Sequence, residues 1–164
     1  MMKNRSKYQN SHTKEFTENY PEHIVETTNI ASFVKFNFDF LDVNQTDAGF
    51  DRLDCLDDKN RLMLLEKIKE FSGASRFDWE SNRRLVIYEN IPRNSKAKHP
   101  KHVPSDVSWA RFRLEGGFRL IGFFIPDSLD KKSYKLSNRE YLFDRNTFYV
   151  VFLDPNHNFY PCKN

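Results

Sequence analysis

The sequence predicts an α+β domain in which a helical hairpin packs on a curled, mainly antiparallel sheet of about four to five strands. Several short runs alternate apolar with polar residues, and one stretch has apolar residues at helical spacing. The 16 phenylalanines fall mainly in the strand-like runs, and aromatic rings pack well on a pleated surface. A strand, two helices and then a series of strands is therefore the expected order.

The first strand is expected at residues 33–40, where apolar residues alternate with Lys35, Asn37 and Asp39. After an acidic loop, the aspartates at 57–58 can cap a helix that runs to Ser72, with Gly73 as its stop. A short second helix is expected around residues 77–80. Two helices without an intervening strand form a helical hairpin, which needs a sheet to cover its apolar face.

Four more strands are expected at residues 85–88, 109–114, 118–125 and 147–153. The glycines at 116 and 117 favour a tight hairpin turn between the middle two. The run 118–125 is apolar on both faces except for Arg119, and a lone buried charge must be paired or face a ligand. The polar segment 126–146 between the last two strands is interpreted as an insertion.

The domain organisation expected from composition is an N-terminal arm, residues 1–31, followed by one α+β domain, residues 32–164. The arm has no sustained apolar period, so we expect it to be flexible or loosely docked. No run of about 18 apolar residues is present and the N-terminus has no apolar signal segment, which predicts a soluble, cytoplasmic protein without a membrane partner. Cys55 and Cys162 are expected to be free thiols without a catalytic role.

The charge of the chain is unevenly distributed, although its formal sum is only +3. Residues 39–58 contain seven acids and one arginine, whereas residues 83–119 contain nine basic residues and three acids. This asymmetry favours a polyanionic partner for the basic part. Two solvated patches that balance each other explain it equally well.

Four short motifs occur in an order that resembles the RelE/YoeB family of small toxins, the ribonucleases of toxin–antitoxin pairs. They are KEFSGASRFDWE at 69–80, YENIP at 88–92, the pair WARFRL at 109–114 and GGFRLIG at 116–122, and a last strand that closes on His157 and Tyr160. The resemblance covers about residues 33–161. It implies an RNA endonuclease that needs no metal or cofactor, cuts through attack by the 2′-hydroxyl, and is neutralised by an antitoxin.

The resemblance also implies a catalytic set. Glu89 would be the base and Arg119 would hold the phosphate, while His157 and Tyr160 would be the acid and the substrate-positioning residue. Each residue also has a structural interpretation: Glu89 can end a strand and pair with Arg93, Arg119 can pair with Glu115 or Glu89, and His157 lies in a sequence that forms a turn by itself.

RNA-binding residues are expected in the basic loop and on one face of the strand at 109–114. A row of guanidinium groups beside an indole is a plausible clamp for the RNA backbone and bases, although it also fits the solvated side of an edge strand. The candidates are Arg93, Lys96, Lys98, Lys101, Trp109, Arg111 and Arg113. His99 and His102 are too few for a metal site, and none is expected.

The sequence is compatible with three functions. The first is a RelE-like endoribonuclease that acts on mRNA. The second is a non-catalytic module of the same fold that binds RNA or an acidic protein through the basic loop. The third is a protein of a phage or mobile element whose inserted segment serves assembly.

Overall fold

The structure is a computed structural model that describes Val25 and residues 28–52 and 56–161. Most of the predicted arm, Cys55 and Cys162 lie outside the described residues. The chain divides into two compact units, residues 1–31 and residues 32–164, and the strands and helices described below belong to the second. Neither α-helix of the described residues has the length and apolar character needed to cross a membrane.

Two helices form the predicted helical hairpin. Helix α1 spans Asp58–Phe71, and Asp57 caps it by accepting from the Asn60 amide at 2.7 Å. Helix α2 spans Arg76–Ser81, and Ser75 starts it with a reciprocal capping box. The Trp79 indole donates to the Phe71 carbonyl at 2.8 Å, which fixes one helix against the end of the other.

Five strands form one sheet: β1 (Lys35–Asn37), β2 (Leu85–Ile87), β3 (Ser108–Arg113), β4 (Arg119–Phe124) and β7 (Thr147–Asp154). Their spatial order is β1-β7-β4-β3-β2, with β1 parallel to β7 and the other pairs antiparallel. The predicted α+β class and mainly antiparallel sheet are thus confirmed. The predicted curl is wrong, because the sheet is open with β1 and β2 as its edges.

The sheet carries a hydrophobic cluster on each face. The helices cover one face, where Leu64 and Phe71 pack with Phe112, Leu120 and Phe148. The opposite face, called the loop face below, is covered by irregular segments that contribute Phe50, Ala97, Val103, Val107 and Phe159 to a cluster with Trp109 and Phe152. Strands β4 and β7 lie between the two clusters, and a strand buried on both faces has a nearly continuous apolar sequence.

The first strand is shorter than the predicted 33–40. After Asn37, its side-chain oxygen accepts from the Asp39 amide at 2.8 Å, and the chain turns. Phe36 packs against the helix-side cluster, whereas Phe40 packs against the cluster on the loop face. The apolar–polar alternation therefore continues beyond the end of the strand, because Phe36 and Phe40 lie on either side of a turn and pack on opposite faces of the sheet.

The inserted segment contains a second, two-stranded sheet that the sequence analysis did not predict. Strands β5 (Ser133–Leu136) and β6 (Arg139–Leu142) are antiparallel and joined by Ser137 and Asn138. Both linking residues have positive φ, 49° and 64°, as a two-residue hairpin turn requires. Every residue of the two strands is exposed.

Candidate active site on the loop face

The turn after β7 is held by one buried carboxylate. Asp154 is 1% exposed and accepts from three backbone amides, those of Asn156, Asn158 and Phe159, at 2.8 to 3.1 Å. These bonds fold the chain back over the loop face, so that Phe159 enters the hydrophobic cluster there. The turn after β7 is thus held in a fixed conformation, and it carries the two C-terminal candidates for catalysis, His157 and Tyr160.

His157 lies in this turn, beside the hairpin between β3 and β4. Its φ is 58°, a left-handed conformation that histidine adopts more readily than most residues. A Cβ placed on Gly117 would lie 3.8 Å from the His157 Nε2 atom. The imidazole is half-buried and lies beside the turn that leads into β4.

Arg119, the first residue of β4, is 8% exposed. Its backbone pairs with Asp154 on one side and Arg113 on the other. The Nη1 atom donates to the carbonyls of Gly117 and Phe118 at 2.9 and 2.8 Å. Glu115, one predicted partner, instead accepts from Lys67 at 2.9 Å. Backbone carbonyls therefore hold the guanidinium beside the His157 turn.

Tyr88, which follows β2, joins the C-terminal turn to the arginines. Its ring stacks on Tyr160 with centroids 5.8 Å apart and contacts Phe159 at 5.9 Å. The positive charges of Arg111 and Arg119 both act on the Tyr88 phenol. We call Tyr88, Arg111, Arg119 and Tyr160 the phenol–guanidinium cluster, and His157 lies at its margin.

The electrostatics of the cluster keep Tyr88 protonated at neutral pH. Burial is the main cause that raises the pKa of the Tyr88 phenol above its ordinary value of 10.0. The charges of Arg111 and Arg119 oppose this rise, and the neighbouring Tyr160 adds to it. Tyr88 can therefore donate a hydrogen bond but does not act as a base.

Glu89 follows Tyr88 directly but is exposed. Among the described residues, no hydrogen bond or ion pair engages its carboxylate, and the predicted pair with Arg93 does not form. Of the four predicted catalytic residues, the structure brings Arg119, His157 and Tyr160 to one region of the loop face. Glu89 follows Tyr88 in the sequence, and its carboxylate forms no hydrogen bond or ion pair with the other three residues.

The basic loop is irregular, as predicted, and its backbone is anchored at two points. The Gln45 side chain exchanges two hydrogen bonds of 2.8 Å with the Lys98 backbone, and the Lys96 amide donates to the Asn158 carbonyl at 2.9 Å. The side chains of Arg93, Lys96, Lys98 and Lys101 are all exposed. Lys96 and Lys98 line a concavity with Asn44, Gln45, Asp47 and Ala48. The loop thus presents its cations from a fixed backbone.

The interpretation of Trp109 as a solvent-facing base platform is wrong. Trp109 is 2% exposed, and its ring stacks on Phe152 at 6.1 Å with Phe159 at 5.7 Å. The irregular segments on the loop face cover it, and sequence periodicity does not reveal that cover. On the same strand Arg113 is exposed and Arg111 is half-buried.

The two histidines of the loop have structural partners. His99 Nε2 lies 2.9 Å from the Val103 carbonyl, and His102 Nε2 lies 3.0 Å from the Phe40 carbonyl. The described part of the chain contains no group of three or more His, Cys, Asp or Glu residues that could hold a metal. These histidines therefore brace the loop.

Two residues of the site were missed by sequence reasoning, Tyr88 and Asp154. Tyr88 ends the apolar run 85–88 and precedes the predicted base, a position that could have identified it. Asp154 was interpreted only as part of a turn, and no sequence signal predicts its three amide partners. No protein-family model, no curated protein and no solved structure matches this chain.

Proposed function

We propose that this protein is a RelE-like endoribonuclease that binds single-stranded mRNA at the phenol–guanidinium cluster and cleaves it through attack of the 2′-hydroxyl. One observation carries the proposal: two guanidinium groups, a protonated phenol and a half-buried imidazole lie together on one face of the sheet. Arginine is suited to phosphate because its donors match the phosphate oxygens in pairs. Cleavage of this kind needs fixed positive charge where charge accumulates on the phosphate.

The geometry suggests distinct roles for the two arginines. Arg119 Nη1 already donates to two carbonyls, so Arg119 would act as a fixed positive charge behind the phosphate. Arg111 is half-buried and its charge acts on the Tyr88 phenol, so it would contact the phosphate directly. The positions of both charges are set before substrate arrives, which is the condition for effective electrostatic stabilisation.

The remaining roles concern proton transfer and substrate position. His157 would protonate the leaving 5′-oxygen, and Tyr160 would stack on a nucleobase through its exposed side. Glu89 would take the proton of the 2′-hydroxyl, which requires RNA to bridge Glu89 and the cluster. The basic loop would attract the phosphates of the flanking nucleotides, or an acidic segment of an antitoxin that neutralises the enzyme in the cytoplasm.

A second candidate, RNA binding without cleavage, is favoured by the position of Glu89. A carboxylate that forms no hydrogen bond or ion pair with another described residue is poorly oriented to act as a base. In that case the same face binds RNA, and the Arg111, Tyr160 and basic-loop contacts keep their roles.

Cleavage of a labelled oligoribonucleotide by the full chain, in the presence of a chelator, tests the proposal. The expected products end in a 2′,3′-cyclic phosphate, and a 2′-deoxy substitution at the scissile nucleotide should prevent their formation. His157→Asn removes the acid but retains a residue that tolerates positive φ, and it should slow cleavage by about 10²–10⁴-fold. Glu66→Gln, at an exposed acid of α1 away from the cluster, should leave the rate unchanged.

Two results would refute the proposed endoribonuclease activity. Binding of intact RNA without any cleavage, equally in wild type and His157→Asn, would leave only the RNA-binding function. Failure to bind RNA would remove both candidates. Induced expression in cells adds a second readout, since wild type should arrest growth and His157→Asn or Arg119→Ala should relieve the arrest.

A further inference from the structure

The β5–β6 hairpin presents an apolar face that is unusual for an exposed element. Tyr134, Leu136 and Tyr141 share one face by the strand register, with Arg139 beside Leu136 at its end. The exposed fractions of the three apolar residues are 45%, 57% and 40%. The two tyrosine rings stack at 5.5 Å. An isolated two-stranded hairpin is marginally stable in water, and apolar side chains this exposed usually mark an interaction site.

This face is continuous with an apolar groove on the body of the domain. Tyr134 contacts Phe143 at 5.2 Å, and Phe143 lines a groove of about 250 Å³. Other groove residues are Phe123, Ile125, Leu129 and Tyr149. We call the apolar hairpin face together with this groove the hairpin surface. The groove has room for an apolar side chain anchored from outside.

The hairpin itself is positively charged, and Asp106 is the one acid that lines the groove among the described residues. Residues 131–142 contain Lys131, Lys132, Lys135 and Arg139 against one acid, Glu140. None of the four basic residues forms an ion pair with another described residue. By contrast, Asp127, Asp130 and Asp144 at the base of the hairpin are paired with Arg76, Arg145 and Lys35. Like charges disfavour a second copy of the chain on this surface, and an acidic partner complements it.

We propose that the hairpin surface binds an acidic, extended segment of a partner protein, which adds a third strand to β5–β6 and inserts an apolar side chain into the groove. Each strand of the hairpin pairs only with the other among the described residues, so each has a free edge for a third strand. Main-chain hydrogen bonds provide affinity, and the groove and basic residues provide specificity. This interaction does not depend on the proposed RNA activity.

Selection of a random dodecapeptide library against the full chain tests this proposal. Enriched peptides should be acidic, with apolar residues at alternate positions. Leu136→Ser should weaken their binding on the order of tenfold, as expected for an interface anchor. Leu142→Ser is the matched control, because Leu142 is 69% exposed on the opposite face of the hairpin; binding to this variant should be unchanged.

Three outcomes would overturn the proposal. The first is enrichment of neutral or basic peptides, or no enrichment at all. The second is equal loss of binding in Leu136→Ser and Leu142→Ser. The third is a concentration-dependent dimer in sedimentation experiments that Leu136→Ser dissociates, which would assign the surface to a second copy. Circular dichroism of both variants confirms that the domain is folded in each.

Discussion

Tyr88 and Tyr160 stack with ring centroids 5.8 Å apart and ring planes inclined by 22°. Tyr88 follows edge strand β2, whereas Tyr160 ends the turn after β7, and two strands lie between β2 and β7 in the sheet. The stacked pair thus spans the loop face and lies close to the arginines of β3 and β4. It brings the C-terminal turn to the charges that the proposed function requires.

Tyr160 is expected to contribute to RNA affinity through its ring. It is 44% exposed, so one side remains available for stacking on a base. Tyr160→Ala should weaken binding of a single-stranded oligoribonucleotide by about 1–3 kcal/mol, and Tyr160→Phe should retain most of the affinity. Fluorescence anisotropy measures both. Tyr141→Ala, at a tyrosine outside the site, should have no effect; an equal loss there would contradict the stacking role.

Lys96 and Lys98 should contribute to affinity by direct ionic contacts with RNA phosphates. Replacing both with glutamine should reduce the slope of log affinity against log salt by about 1.4, since each phosphate contact to single-stranded nucleic acid contributes about 0.7. Binding titrations at several salt concentrations give the slope. The control is a double glutamine variant of Lys59 and Lys69, two exposed lysines of α1. An equal change in slope for that control would show that the lysines act only through net charge.

Asp154→Ala should destabilise the domain. The change leaves the amides of Asn156, Asn158 and Phe159 without their buried carboxylate partner. We expect the free energy of unfolding to fall by about 3 kcal/mol. Urea unfolding measures the loss. Glu66→Ala, at an exposed acid of α1, should change it by less than about 0.5 kcal/mol, and a similarly small effect of Asp154→Ala would be inconsistent with this role.

Asp51→Asn should make stability less dependent on pH. Burial, and then the charge of Asp154, raise the pKa of Asp51 above 3.8. Because the folded-state pKa lies above the unfolded one, the stabilising contribution is present at low pH and is lost as pH rises through the raised value. The asparagine variant should therefore unfold at higher urea than wild type at pH 7 and match it near pH 3. Equal midpoints at both pH values would contradict the raised pKa.

Some features of the site were accessible from sequence because each depends on a single residue type in a local pattern. Arg119 was identified as the one charge in an apolar run, and His157 and Tyr160 as polar residues after a buried strand. Their convergence with Tyr88 was not predictable in this way, since it depends on the order of strands in the sheet. Glu89 shows the converse, since it follows Tyr88 in sequence but its carboxylate forms no hydrogen bond or ion pair with another described residue.

The sequence by itself determined the order of the two helices and of the five strands in the main sheet, the cap of α1 at Asp57 and the tight turn at Gly116 and Gly117, because these depend on neighbouring residues. Only the tertiary structure decided that Trp109 is buried and that Phe40 packs on the loop face, opposite to Phe36. The physical reason is that periodicity along a strand specifies two faces but not what covers them. On the loop face the cover comes from irregular segments distant in sequence, and their contacts form only when the whole sheet is assembled.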